Sequence, residues 1–275
     1  MLVNSIELLK KASKDGYALP AYNINNLEWT RFILEACQID RSPVIIEVSE
    51  SAVSYFGGYK TVYNVVTSLI NDLKISIPVV LHLDHGKSFE SCKKAIDAGF
   101  TSVMIDASSN ELEQNIEITK KVKEYAIKKD VSVEAELGSL KDGYTNVNDC
   151  ASFVSETKVD TLAPAIGNKH GIYSGDEKLD FELLGNICKE VKLPLVLHGA
   201  SGLDDNKIKT AIFCGVAKIN INTDLQMIWT ASVRNYLNQN KNVYDPRKII
   251  KSGESAFKAM IHHKNELFGS KNKAF

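Results

Sequence analysis

No two cysteines in this chain stand in a CxxC pair. The five present, at positions 37, 92, 150, 188 and 214, are odd in number and widely scattered, which argues against a disulfide framework or a cysteine zinc site and for a reducing compartment. An excess of one charge is missing too: 33 Lys and Arg stand against 34 Asp and Glu, for a net charge of −1. No global field would draw in nucleic acid or an anionic membrane, so any phosphate chemistry must use a local site. No stretch approaches the roughly 18 apolar residues of a spanning helix. The opening MLVNSIELLKKASKDG has apolar residues at helical spacing with charges between them, not the apolar core of a signal peptide. These absences predict a cytoplasmic protein. Linkers, low-complexity tracts and short repeats are absent as well, so one domain over residues 1–275 is expected.

What is present is an ordinary globular composition, 44 % hydrophobic and 24 % charged, with enough length to bury a sizeable core. Short runs rich in Val, Ile and Leu alternate with longer segments of helical period. The strand candidates are 17–24, 43–49, 78–85, 102–108, 131–138, 161–167, 194–201 and 216–223, and helical patterns between them include 27–40, 59–74 and 111–130. Near-continuous apolar strands imply burial on both faces, hence a parallel sheet with helical crossovers. Eight βα units in about 240 residues is the arithmetic of a (β/α)8 TIM barrel, whose usual size is about 250. A doubly wound open sheet is the alternative, but no GxGxxG follows the first strand. After Pro246 the sequence reads as a terminal helix, about 246–268, packed outside the barrel, with a polar tail behind it.

The active site of such a barrel forms at the C-terminal ends of its strands. In LHLDHG the third strand finishes on Asp84 and His85; the fourth ends in Asp106, the fifth in Glu136 and the seventh in His198. His170 lies just past the sixth, and Asn220 to Thr223 close the eighth. A single histidine or acid at such a place reads as a structural hydrogen-bonding group or a helix cap. Three histidines and three acids at the same ends of the strands read as a site, since structural residues would scatter over both ends. Three imidazoles with an open fourth position suit a catalytic zinc ion. Asp106 and Glu136 are placed to take the second N–H of the ligating rings, or to serve as ligands at an alternate metal position. Asp84 shares a strand face with His82 and is a candidate proton carrier, whereas the adjacent His85 must turn at the strand's end. The turns LHGASG (197–202) and ININTD (219–224) lie where barrel phosphate sites commonly form.

LHLDHG, SVMIDAS, SVEAELG, LAPAIGNKHGIY, PLVLHGASG and KININTD resemble, in order and spacing, the class II zinc-dependent aldolases of the fructose-bisphosphate and tagatose-bisphosphate branch. The resemblance runs from YALPAYNINNLE to YDPRK, nearly the whole chain. It implies reversible cleavage of fructose 1,6-bisphosphate, a sugar-bisphosphate step of glycolysis and gluconeogenesis, to dihydroxyacetone phosphate and glyceraldehyde 3-phosphate. By that likeness His85, His170 and His198 would hold Zn2+, with a monovalent cation as a secondary cofactor candidate. Asp84 would move the proton of the C4 hydroxyl. Gly171, Gly199, Ala200, Ser201, Asn220, Ile221, Asn222 and Thr223 would bind the dihydroxyacetone phosphate portion, with Asn23 and Ser49 near the substrate. The family's habit implies a homodimer or homotetramer.

Two departures stand out. Where the family carries a long loop of GGxED type, whose acid serves C3 proton transfer, this chain has the shorter GSLKDGYTNVND. Asp142 is its nearest substitute and Tyr144 the next. At the middle of the NxxT turn, where fructose-bisphosphate members often have aspartate, stands Asn222, so the C4 epimer preference stays open. Tagatose 1,6-bisphosphate or another ketose phosphate is the alternative substrate. A barrel that binds zinc and sugar phosphate with little turnover is the alternative from another functional class.

Overall fold

The structure is a computed structural model that describes residues 2–138, 143–171 and 178–274. Eight parallel strands close into a barrel in chain order: β1 (Leu19–Asn23), β2 (Val44–Ser49), β3 (Val79–Gly86), β4 (Ser102–Ile105), β5 (Ser132–Leu137), β6 (Thr161–Pro164), β7 (Leu195–Leu197) and β8 (Val216–Ile221). The expected barrel is therefore correct, and closure leaves no strand edge unpaired. Apart from β3, the observed strands are shorter than their apolar runs, because the runs continue into the loops that build the rim. Asp106 and His198 accordingly lie just beyond β4 and β7.

An N-terminal helix, α1 (Ile6–Asp15), lies across the opposite end of the barrel. Its Leu8, Leu9 and Ala12 pack with Leu19, Ala21, Ile45, Val80 and Ala217, and each leucine so buried contributes about 1.5–3 kcal/mol. Between the strands run α2 (Leu27–Asp40), α3 (Glu50–Phe56), α4 (Tyr59–Asp72), α5 (Phe89–Ala98), α6 (Leu112–Ile127), α7 (Val147–Thr157), α8 (Phe181–Val191) and α9 (Asp205–Phe213), and α10 (Thr223–Gln239) follows β8. Their inner faces meet outward strand residues such as Ile46, Leu81, Leu83, Val103, Val133 and Ile219 in one continuous apolar layer. The short α3, capped by Ser49, is an insertion that the sequence reading passed over.

The expected terminal helix is two helices, α11 (Pro246–Lys251) and α12 (Glu254–Leu267). They break at Ser252–Gly253, where the chain passes so close to Trp229 that a Cβ on Gly253 would lie 2.3 Å from its ring. Outside the barrel, α12 packs across α2, with the Phe257 ring tilted against that of Trp29 at 4.7 Å between centroids, and its Asn265 accepts a hydrogen bond from the Tyr22 hydroxyl.

Along the strands the inward positions change character with height. Above the apolar floor, Glu47, His82, Glu134 and Lys218 form a buried layer of ionisable side chains, each at most 2 % exposed. Lys218 donates to Glu134 (2.8 Å) and lies 3.5 Å from Glu47 and 3.4 Å from His82 Nε2. Lys218 and Glu134 are stable there because their charges are paired and hydrogen-bonded, whereas burial pushes the Glu47 carboxyl well above its usual range and brings the His82 imidazole down to about 3. The next layer up is the rim.

Candidate active site

His85 owes its place to a break in strand alternation. It sits at φ 48°, in the left-handed region, which non-glycine residues adopt at some energetic cost and which clusters at functional sites. The β3–β4 register shifts between Leu83 and Gly86 at the same point. As a result Asp84 and His85, adjacent in sequence, both face the rim: Asp84 Oδ1 lies 3.8 Å from His85 Nε2.

His85 Nε2 faces His198 Nδ1 at 3.1 Å, and the ring of His170 lies 4.9 Å from that of His85 and 5.8 Å from that of His198. One nitrogen from each of the three rings falls within 4.8 Å of the others. That spacing, with three imidazole donors, fits a divalent transition metal of the zinc kind.

The outer nitrogens of two of these rings are fixed by carboxylates. His85 Nδ1 bonds Asp106 Oδ2 at 2.9 Å, with Glu136 at 3.7 Å. Asp106 is itself held by the Ser108 hydroxyl (2.6 Å), which also donates to Glu136. His198 Nε2 bonds Glu134 Oε1 at 2.9 Å. Sequence reasoning missed this partner, and the signal was strand alternation: Glu134 lies two residues before Glu136 and so shares its face. Through Glu134 the Lys218 ammonium helps aim His198 Nδ1 at the centre. Replacing Glu134 by Gln should weaken metal binding by about 10–100-fold, the usual cost of losing such a partner, measured by chelator competition.

Burial disfavours charge on His85, but Asp84, the hydrogen bond to Asp106, and Glu136 outweigh it and raise its pKa to about 9. Metal binding must therefore displace a proton from that ring. Burial likewise opposes ionisation of Asp84, but the positive charge of His85, His198 and Lys218 prevails and holds it down at about 2. Glu136 goes the other way: burial, then the Asp106 charge, push it up to about 8 against the pull of His85. Asn23 donates to Asp84 Oδ2 at 2.9 Å, and Asn220 reaches its other oxygen at 3.5 Å.

One cavity at the rim is lined by Asn23, Asp84, His85, His170, Gly171, His198, Gly199, Ser201, Asn220, Asn222 and Thr223. The sequence had named all of them. Ala200 and Ile221 send their side chains into the apolar layer and can offer the cavity only backbone groups. Ser49 stands apart, capping α3 by accepting from the Ala52 N–H. Gly199 has φ 66°, and a Cβ there would lie 2.2 Å from the Lys169 carbonyl oxygen, so only glycine fits. Ser201 Oγ accepts the N–H groups of Asn222 (3.4 Å) and Asp224 (3.3 Å), tying the turns after β7 and β8 together at the N-terminus of α10. Asp142 lies outside the described residues. Tyr144 donates its hydroxyl to the Lys178 carbonyl and is 53 % exposed.

A closed barrel with three histidines, an ionised aspartate and two polar turns at one rim defines a lyase-type metal site on a TIM barrel. The chain matches the family model for class-II fructose-bisphosphate aldolase over residues 3–273. It is 49 % identical to the fructose-bisphosphate aldolase of Geobacillus stearothermophilus, the match covering 99 % of each chain. Among solved structures it is similar to the YdjI aldolase from Escherichia coli K12 (TM-score 0.89, 34 % identity, all of both chains). It is also similar to a fructose-bisphosphate aldolase from Campylobacter jejuni (TM-score 0.86, 26 % identity, 99 % and 97 % covered). The chain belongs to the class II fructose-bisphosphate aldolase family. That family is metal-dependent, and the site residues here include candidate metal ligands.

Proposed function

We propose that this protein cleaves fructose 1,6-bisphosphate reversibly to dihydroxyacetone phosphate and glyceraldehyde 3-phosphate, using zinc held by His85, His170 and His198. The observation that carries the reading is the convergence of three imidazole nitrogens within 4.8 Å beside an Asp84 carboxylate held by Asn23. A zinc ion bound there would stabilise the negative charge that develops as the C3–C4 bond breaks.

The chain's own residues supply the rest. Asp84, kept ionised by its positive neighbours, accepts the C4 hydroxyl proton in cleavage and returns it in condensation. Asn23 and Asn220 keep its carboxylate oriented. Gly171, the 199–201 turn and the 220–223 turn bind the dihydroxyacetone phosphate end, with backbone N–H groups and the Ser201 and Thr223 hydroxyls on the phosphate. Asp106 holds the His85 ring, and Glu136 completes that pair. Domain, compartment and assembly are part of the proposal: one barrel over 1–275, cytoplasmic, acting as a homodimer or homotetramer. Among the described residues no helix is long and apolar enough to cross a membrane.

A coupled triose-phosphate assay tests the reading, run with fructose and tagatose 1,6-bisphosphates, with and without chelator. Chelator-sensitive turnover of the fructose ester supports it. A faster tagatose ester would reassign the substrate, and zinc binding without turnover would make the protein a binding module.

For C3 proton transfer we propose Asp142, the one carboxylate of the 139–147 segment, whose sequence neighbour Gly143 leaves the backbone freedom to move. Asp142→Ala should slow exchange of the C3 proton of dihydroxyacetone phosphate with solvent deuterium while zinc content stays unchanged. Exchange at the wild-type rate would reduce Asp142 to a turn residue.

A further inference from the structure

A lysine far from the rim in sequence stands directly behind the second polar turn. Lys264 of α12 is 5 % exposed, and its ammonium forms an ion pair at 2.9 Å with Asp224, whose side chain is 14 % exposed. Asp224 lies in the first turn of α10, one residue past the cavity-lining Asn222 and Thr223, and its N–H goes to Ser201 Oγ. A carboxylate suits a helix N-terminus by itself. Here the same N-terminus faces the cavity proposed to take a phosphate dianion, and an unneutralised Asp224 would repel it. Stability gives no reason for the buried lysine, since an apolar pair of the same volume is often at least as stable as a buried ion pair. Its position gives one.

We infer that Lys264 is a positioning residue for phosphate binding: it cancels the Asp224 charge behind the 222–224 turn and fixes that turn against α12. The inference rests on the proposed phosphate site. Without Lys264, the Asp224 carboxylate, one residue past the cavity-lining Thr223, is left as an uncompensated like charge behind the incoming phosphate, in a partly buried setting where screening by water is weak. The penalty falls on binding of phosphorylated ligands. Steps at the metal and Asp84 lie on other strands and are untouched.

The test compares the affinity of dihydroxyacetone phosphate and of unphosphorylated dihydroxyacetone for the zinc-loaded wild type, Lys264→Met, Asp224→Asn and the double variant, with kcat measured alongside. Lys264→Met should weaken the phosphate ester about tenfold, the order expected for one unit charge acting over roughly 10 Å at an effective dielectric near 20. KM should rise with it while kcat changes little and dihydroxyacetone binds as before. The double variant, with neither charge, should recover most of the lost affinity, and Asp224→Asn alone should bind the ester more tightly than wild type. If Lys264→Met does not fold, the Asp224→Asn arm decides: unchanged or weaker ester binding overturns the inference. So does a parallel loss for both ligands, which marks a purely structural role, or failure of the double variant to recover. A wild type that binds both ligands equally would overturn the phosphate site itself. A wild-type preference for the ester that persists in full in Lys264→Met would overturn only the role of Lys264.

Discussion

Asp84→Asn should lower turnover by about 10²–10⁴-fold, the scale of general acid–base catalysis, and leave the metal in place. The substitution keeps the side chain's shape and removes its proton affinity. In the wild type, burial raises the pKa of this carboxyl, but His85, His198 and Lys218 more than compensate and hold it at about 2. It is therefore ionised at neutral pH and able to accept a proton, and Asn23 at 2.9 Å keeps it aimed. An asparagine there offers no base. The metal should stay because the three imidazole nitrogens that converge do not include any atom of Asp84. Metal content by elemental analysis and single-turnover rates on the same preparation check both halves. A variant that lost its metal would make Asp84 a ligand.

The fold was legible because its signal is repeated. Eight apolar runs, each followed by a helical period, leave few topologies other than a closed barrel. The rim was legible for a related reason: Asp84, His85, Asp106, Glu136, His170 and His198 all fall at one end of their strands, and closure brings that end to a point. The layer beneath was not. Glu134 and Lys218 lie 84 residues apart, and a charge within a strand does not say whether it faces solvent or the barrel axis until the strands close. Lys264 was hidden in the same way, as one more charge on an amphipathic helix. The break between α11 and α12 was missed because SGE reads as tolerable in a helix. What ends the helix there is the approach of Trp229 to Gly253, a contact made by a different element. His85 shows the converse case: the sequence required the strand to turn there, and the left-handed backbone at that residue is how it does so.

His198→Ala should abolish both metal binding and turnover. Of the three imidazoles His198 is the most deeply placed, 1 % exposed, and the most fully constrained. Its Nε2 is held by Glu134 at 2.9 Å, its carbonyl accepts from Asn168 at 3.0 Å, and its Nδ1 faces His85 Nε2 at 3.1 Å. Removing it leaves two imidazoles, one of them the exposed His170, and a two-nitrogen site falls short of the three protein ligands that a catalytic zinc ion uses. The loss also strips Glu134 Oε1 of its partner. Lys218 still pairs with Glu134 at 2.8 Å, so the barrel interior keeps its charges matched and the fold should survive. Circular dichroism should match the wild type while metal content falls to background and activity disappears. Added zinc should not restore it, whereas a chelated wild type should recover on zinc addition. Full metal occupancy in His198→Ala would rule out His198 as a ligand and move the centre to the other cluster that could hold a metal, His85 with Asp106 and Glu136.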